Sequence, residues 1–389
     1  MALGLLILCG LLLRIYTSCD FFLHSWDERY HALVAKNLMK HMLVPTLYDN
    51  PLISYDYTNW KTNYIWLHKQ PLPLWTMALS MMLFGVNEIA VRIPSIVLTT
   101  IGIGLTFSIA KYFFNSKVAY LSAFFYSING LIIEMTGGRV ATDHIDVFFL
   151  FFIELAVFFT IIFIQKRNYY YNVFAGLCIG AAILCKWLPA LIVLPVWLLL
   201  IIDSNNFQKG AIIKDFVILL IVAIGVFLPW QVYIYHRFPL EAGWEASFNI
   251  KHVTEVLDGM EGSICYYIDQ IRINYGELIY LPLIWFLWKL FKDYKDYKKW
   301  AICIWFLIPL IFFSCIKTKM QGYVLFISPA LFIISAWFWC ELLVYRLDHK
   351  LKWLMNLIIV AMIILPLRYT IERTKVFLNR DRNPEWAQE

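Results

Sequence analysis

His24-Ser25-Trp26-Asp27-Glu28-Arg29-Tyr30 opens, and Leu67-His68-Lys69-Gln70-Pro71-Leu72-Pro73 closes, a polar stretch rich in aromatic residues (23–73). It lies between a first apolar run and a remainder that is apolar almost throughout. The 389 residues are 61% hydrophobic and only 15% charged, where a soluble domain has about 25% charged residues. The excess is gathered into runs of about twenty residues, the length that crosses ~30 Å of hydrocarbon. The expected fold is therefore an all-α polytopic membrane protein. A long polar segment placed so early is a loop at one membrane face.

The apolar runs fall near residues 1–19, 92–113, 118–134, 146–164, 172–185, 187–202, 213–233, 277–291, 300–315, 322–343 and 353–367, about eleven spans. The first has no basic start or small-residue cleavage site and reads as a retained span, its Arg14 snorkelling to an interface. Residues 73–85 are apolar but short and are expected to lie in the outer interface. The net charge of +6 is spread over many loops, which argues against a nucleic-acid surface. Eight cysteines sit mostly in or beside apolar runs without a CxxC pair, so neither a disulfide framework nor a cysteine metal site is expected.

Lys111/Lys117, Lys166/Arg167, Lys209/Lys214, the lysines from 289 to 299, and Arg346/Lys350/Lys352 fall in short loops on one side. Positive charge in short loops marks the cytoplasmic face. The first loop and residues 137–146, 235–275 and 314–321 then face outward. Lys69, Arg139, Lys186, Lys317 and Lys319 break the charge bias on that face. Each alone is compatible with a headgroup contact. Together they would suit an anionic lipid phosphate at a membrane-embedded cavity.

Ser25-x-x-Glu28 has the spacing of a capping box, with Ser25 as N-cap, ahead of an apolar stripe at helical spacing from Tyr30 to Met39. A short surface helix is expected there, with Asp27 in its first turn. Asp143 and Asp146 open another helix, with Arg139 and His144 nearby. Acids favour helix starts electrostatically, so helix stabilisation and catalysis both remain open for Asp27 and Asp143. Carboxylates entering a span are costly unless paired or wet, which tilts Asp143 and Asp146 toward function. His68 and His252 are lone histidines in outer loops, without HxxxH or HExxH spacing.

The ordered set Trp26-Asp27-Glu28-x-Tyr30, His68-Lys69-Gln70-Pro71, Phe84-Gly85-Val86-Asn87-Glu88, Arg139-x-x-x-Asp143, Gly176-x-x-x-Gly180 with Lys186, Leu228-Pro229-Trp230 and Lys317-x-Lys319 resembles membrane glycosyltransferases of the GT-C fold. The likeness is to the glycosyltransferase 39 group, which holds lipid A aminoarabinose transferases and protein O-mannosyltransferases. It runs to about residue 345. The resemblance implies a GT-C transmembrane bundle with juxtamembrane helices on its outer face. It implies inverting transfer, on the outer face of the cytoplasmic (inner) membrane, from a polyprenyl-phosphate sugar to a lipid, glycan or protein acceptor. Asp27 would be the catalytic base or acceptor-orienting carboxylate and Asp143 a second acid. Lys69, Lys186, Lys317 and Lys319 would hold the donor phosphate, supported by Glu28, Arg139 and Tyr30. His68 stands where the aminoarabinose transferases carry an acid that can join a metal site, so zinc on His68 with His252 is a further expectation. Gln70 replaces the usual proline.

One transmembrane domain is expected over residues 1–370, with outer loops at 20–91 and 235–276. A short tail at 371–389 stands where the family carries a large soluble domain. A lipid-linked sugar transporter or flippase, an O-antigen polymerase and an inactive scaffold are the alternatives. A transporter is expected to show internal repeats, and none is visible.

Overall fold

A computed structural model describes residues 1–49, 52, 54–140, 144–204, 208–346 and 350–376. The helices in chain order are α1 (Ala2–Thr17), α2 (Asp27–Leu38), α3 (Pro71–Phe84), α4 (Glu88–Phe113), α5 (Ser116–Ile128), α6 (Gly130–Thr136), α7 (His144–Lys166) and α8 (Tyr169–Lys186). They continue as α9 (Val193–Asp203), α10 (Lys209–Arg237), α11 (Pro239–Thr254), α12 (Tyr266–Tyr275), α13 (Tyr280–Lys292), α14 (Tyr297–Cys315), α15 (Ser328–Arg346) and α16 (Lys352–Thr374). Short 3-10 turns precede α9, α13 and α15. Helices dominate because hydrocarbon offers backbone groups no partner outside the segment itself.

Among the described residues, seven helices are long and apolar enough to cross a membrane, and the bent pair α5–α6 makes an eighth. The expected span at 118–134 is thus broken, by 49°. Asn129 stands at the break, capping Ile132 N at 3.0 Å and donating to Asn274 O at 2.8 Å. α1, α3 and the segment Leu188–Asp203 are apolar but shorter.

Burial sorts the spans. In α7, 72% of the apolar window is buried, against 11% in α10. α7 is the central helix and packs on α4 and α8, while α10 is held chiefly by α8 and turns most of its surface outward. The α8–α10 contact explains Gly176-x-x-x-Gly180. A Cβ on Gly176 would lie 2.8 Å from Leu219 O, and one on Gly180 would lie 2.7 Å from Ala223 O. Small residues let the two backbones approach. Gly180→Val is expected to destabilise the protein by about 1–3 kcal/mol through overpacking. Gly225→Ala, where an added Cβ meets nothing within 4 Å, should not. Thermal unfolding in detergent compares them, and equal melting of both variants with wild type would contradict this packing.

Arg14 does not snorkel. It is fully buried, donating to Thr99 Oγ1 at 2.9 Å, Gly10 O at 3.0 Å and Ser127 O at 3.2 Å. These oxygens sit where an extended side chain would otherwise seek the interface, and they tie α1 to α4 and α5.

The bundle has two chemically different ends. At one, Lys298 lies over Tyr112 and 3.9 Å from Asp203, and Lys289 reaches Glu341 at 3.9 Å. This end gathers several of the lysine-bearing short loops. The other holds α2, the start of α3, the start of α7, the end of α8, and α11. There the long loops interlock. Lys61 lies 3.5 Å from Asp258 and Tyr55 donates to Glu241. The amides of Lys317 and Thr318 donate to Val253 O and His252 O, each at 3.1 Å.

Candidate active site

The site begins with a strained turn. Trp26 precedes α2 with φ 73°, a left-handed conformation that a bulky residue rarely adopts. The capping box expected at Ser25 and Glu28 is absent. Trp26 is the N-cap, and no side chain caps the helix. Glu28 turns inward instead and is fully buried. Its carboxylate accepts from the His24 amide at 2.6 Å, lies 2.8 Å from His24 Nδ1, and pairs with Arg92 Nε at 2.7 Å. His144 Nε2 lies 3.4 Å away and is itself held by Ser95. Burial pushes the Glu28 carboxyl up, but Arg92, His144 and His24 outweigh it and hold it well below the usual carboxylate range. Arg92 also donates to the carbonyls of Ser18 and Phe22, at 2.9 and 2.6 Å. A single buried guanidinium from α4 therefore fixes the whole α1–α2 linker.

Successive helix residues diverge by about 100°. With Glu28 locked inward, Asp27 is left at the rim, where its Oδ2 lies 3.2 Å from Lys69 Nζ. Both side chains are partly open, 14% and 22% exposed. Lys69 stands two residues before α3, whose start is set by Pro71. The two ends of the polar stretch thus meet as one ion pair. Tyr30, one turn along α2, packs against Trp60 and Trp66. Its phenol is pushed up by burial, then by Tyr48 and Asp27.

Lys186 closes α8 at a second strained residue, Trp187 (φ 65°). It pairs with Asp146 in the first turn of α7 and lies 4.6 Å from the Tyr323 ring centroid. Asp27 and Lys69 are within electrostatic reach of it. Two carboxylate–lysine pairs therefore share this end of the bundle. Asp143 lies outside the described residues.

Three further expected site residues have partners of their own. Lys319 donates to the carbonyls of Phe313, Ser314 and Ile316, capping the end of α14, and lines the same cavity as Lys317. Lys317 is exposed, on the wall of a cavity of about 700 Å³ with Glu261, Ser263 and Ser314. Arg139 is buried, bound to Asp20 at 2.8 Å and to the carbonyls of Arg373 and Lys375 at 3.0 Å. It ties the linker after α1 to the end of α16, and its partner Asp20 reaches His24 of the Glu28 cluster.

His68 stacks on Trp60 at 4.7 Å and shares a 3.3 Å hydrogen bond, through Nδ1, with Glu245 Oε2. Burial, then Lys69, hold its imidazole well below the ordinary value. Burial pushes Glu245 up to about 8 although Lys69 and His252 pull it down. His252 gives its Nδ1 to Phe248 O at 3.0 Å. Among the described residues, no three His, Cys, Asp or Glu groups are placed to hold a metal ion. As arranged, these residues do not fit the zinc expected on His68 with His252. Glu245 went unnoticed in the sequence. Its signal was helical spacing: Glu241, Glu245, Phe248 and His252 share one face of α11.

The helical bundle, with short helices and two carboxylate–lysine pairs gathered at one end, has the GT-C fold. ArnT from Cupriavidus metallidurans, solved with bound undecaprenyl phosphate, superposes with a TM-score of 0.65 at 17% identity, covering 95% of this chain and 71% of that one. The archaeal oligosaccharyltransferase AglB from Archaeoglobus fulgidus, in complex with an inhibitory peptide and a dolichol-phosphate, gives 0.63 at 14% identity over 96% and 55%. Residues 68–233 match the family model for dolichyl-phosphate-mannose-protein mannosyltransferase. An undecaprenyl phosphate-alpha-4-amino-4-deoxy-L-arabinose arabinosyl transferase of Pseudomonas fluorescens is 25% identical over 268 residues, 64% of this chain and 44% of that protein. An uncharacterized protein of Aquifex aeolicus is 24% identical over 80% of this chain and 58% of its own length. The chain has the GT-C fold, and residues 68–233 are similar to the mannosyltransferase family of that model. It spans less than half the length of the curated arabinosyl transferases it matches.

Proposed function

We propose that this protein transfers a sugar from a polyprenyl-phosphate carrier to a lipid, glycan or protein acceptor, with inversion. The reaction is placed at the outer end of one transmembrane domain (residues 1–370), facing the exterior of the cytoplasmic membrane. The loops at 20–91 and 235–276 form its outer face. The observation that carries the reading is the Asp27–Lys69 pair at the bundle rim.

The acceptor oxygen attacks the anomeric carbon while the bond from that carbon to the phosphate oxygen breaks. The bond pair leaves on the phosphate. That leaving group is a stable anion, so it needs nearby positive charge more than a proton. Lys69 and Lys186 supply that charge. Asp27 orients the acceptor hydroxyl and receives its proton. In the resting structure the two lysines are paired with Asp27 and Asp146. An incoming phosphate competes for the lysines and frees Asp27 for the acceptor. Asp143 keeps the role of second acid on the resemblance alone.

Purified protein in bilayers, given a panel of polyprenyl-phosphate sugars and crude acceptors, should release polyprenyl phosphate. No release, with lipid-linked sugar instead moved across the bilayer, would favour a flippase. Lys69→Ala should weaken binding of polyprenyl phosphate about tenfold or more, as loss of a charge-assisted contact does. Unchanged saturation by the donor would remove Lys69 from the phosphate site.

A further inference from the structure

Glu245 presents an unusual carboxyl. The residue is 4% exposed, one oxygen lies 3.3 Å from His68 Nδ1, and the other, Oε1, is buried with no hydrogen-bond partner among the described residues. A buried polar atom left so costs about 1–3 kcal/mol. Such an orphan asks for a partner, and an ordered water, an ion or a ligand group can supply it. The next residue to His68 is Lys69, which holds Asp27. The surroundings are rings: Trp60 stacked on His68, Phe248 at 5.5 Å from His68, and Trp244 stacked on Phe248 at 4.8 Å. Aromatic walls with a few fixed polar groups are how pockets orient small polar ligands.

The chemistry narrows what can meet Oε1. With the carboxyl pushed up to about 8, its proton can sit on Oε2 toward His68 Nδ1, which leaves Oε1 a bare acceptor, and an ionised phosphate, which also only accepts hydrogen bonds, cannot satisfy it. A group that donates through O–H or N–H can. On a sugar phosphate lipid, such groups are carried by the sugar ring, one short step from the phosphate that Lys69 would hold.

We propose that Glu245 is a specificity residue for the transferred sugar: Oε1 accepts a hydrogen bond from a hydroxyl or ammonium on the donor's sugar, whose ring packs against the Phe248 side of the aromatic cluster. His68 is the positioning residue that aims this carboxyl. The inference rests on the lipid-donor reading above and goes beyond it by separating the sugar half of the site from the phosphate half.

Binding in nanodiscs tests it without requiring turnover. The affinity of bare polyprenyl phosphate is compared with that of polyprenyl-phosphate sugars, pentose and hexose, with and without an amino group. Wild type should bind at least one sugar-bearing lipid about tenfold or more tightly than the bare lipid, the worth of one charge-assisted hydrogen bond. Glu245→Ala should erase most of that gain, Glu245→Gln, which keeps an acceptor oxygen, should keep part of it, and both should leave the bare lipid within about twofold of wild type. A gain confined to amino sugars assigns an ammonium, and a gain shared with neutral sugars assigns a hydroxyl; either supports the proposal. Equal loss for bare and sugar-bearing lipids would show a structural role and overturn it. So would a gain that survives both variants, or one that appears only with added zinc. Wild type that binds the bare lipid with no sugar gain overturns this inference alone. Wild type that binds no polyprenyl phosphate overturns the donor reading as well.

Discussion

Replacing Arg92 by Met should destabilise the protein by about 3–5 kcal/mol, the loss seen when one partner of a buried ion pair is removed. Arg92 and Glu28 are both 0% exposed. The variant strands the Glu28 carboxylate without its guanidinium and leaves the Ser18 and Phe22 carbonyls without their donor. It also releases the strained Trp26 turn, whose left-handed backbone costs about 1–3 kcal/mol and persists only while its surroundings hold it. The double variant Glu28→Gln/Arg92→Met should recover part of the loss, because removing both charges is far milder than removing one. Thermal unfolding in detergent reads both. A single variant that melts with wild type would mean that the pair is dispensable.

The same pair sets an acid limit. The Glu28 carboxyl titrates well below its ordinary 4.5 when folded. The stability it supplies is fully present above the unfolded value, near 4.5, and is lost as pH falls toward the folded one. Below pH 4.5, wild type should therefore lose stability faster than Glu28→Gln. Parallel acid-unfolding curves for the two would assign the acid sensitivity to other carboxylates.

Much of this architecture was legible because membrane spanning is written locally, in run length and loop charge. Asp27 and Lys69 stood out as candidates at the two ends of one polar stretch, but their meeting as an ion pair was not legible there. What escaped was decided by partners distant in sequence. Ser25-x-x-Glu28 satisfies the capping pattern, but a buried arginine from α4 offers Glu28 far more than a backbone amide does. Arg14 found Thr99 and Ser127 before it could reach an interface. Lys319 met three carbonyls at the end of the very helix it follows, a local trap that the charge-bias argument did not weigh. Glu245 shares a helix face with His252, but His68 lies 177 residues away and no spacing rule links the two. Arg139 and Lys319 hold scaffold contacts that no loop-charge pattern reveals.

Asp27→Asn should reduce sugar transfer by about 10²–10⁴-fold, the range over which a positioned acid–base group acts, with polyprenyl phosphate binding retained. The amide matches the carboxylate in shape and can still touch Lys69, so the turn at Trp26 and the helix behind it should stand. What it loses is the negative charge that turns the acceptor hydroxyl toward the anomeric carbon and takes its proton. The charge also bears on the donor: with Asp27 neutral, Lys69 no longer has a paired carboxylate to give up when phosphate arrives. Bare polyprenyl phosphate should then bind Asp27→Asn as well as wild type or better, while turnover collapses. That divergence is specific to the proposed division of labour. A variant that loses binding and turnover in proportion would make Asp27 a structural partner of Lys69. A variant that keeps full turnover would leave the acceptor to another acid, of which Asp146, paired with Lys186, is one.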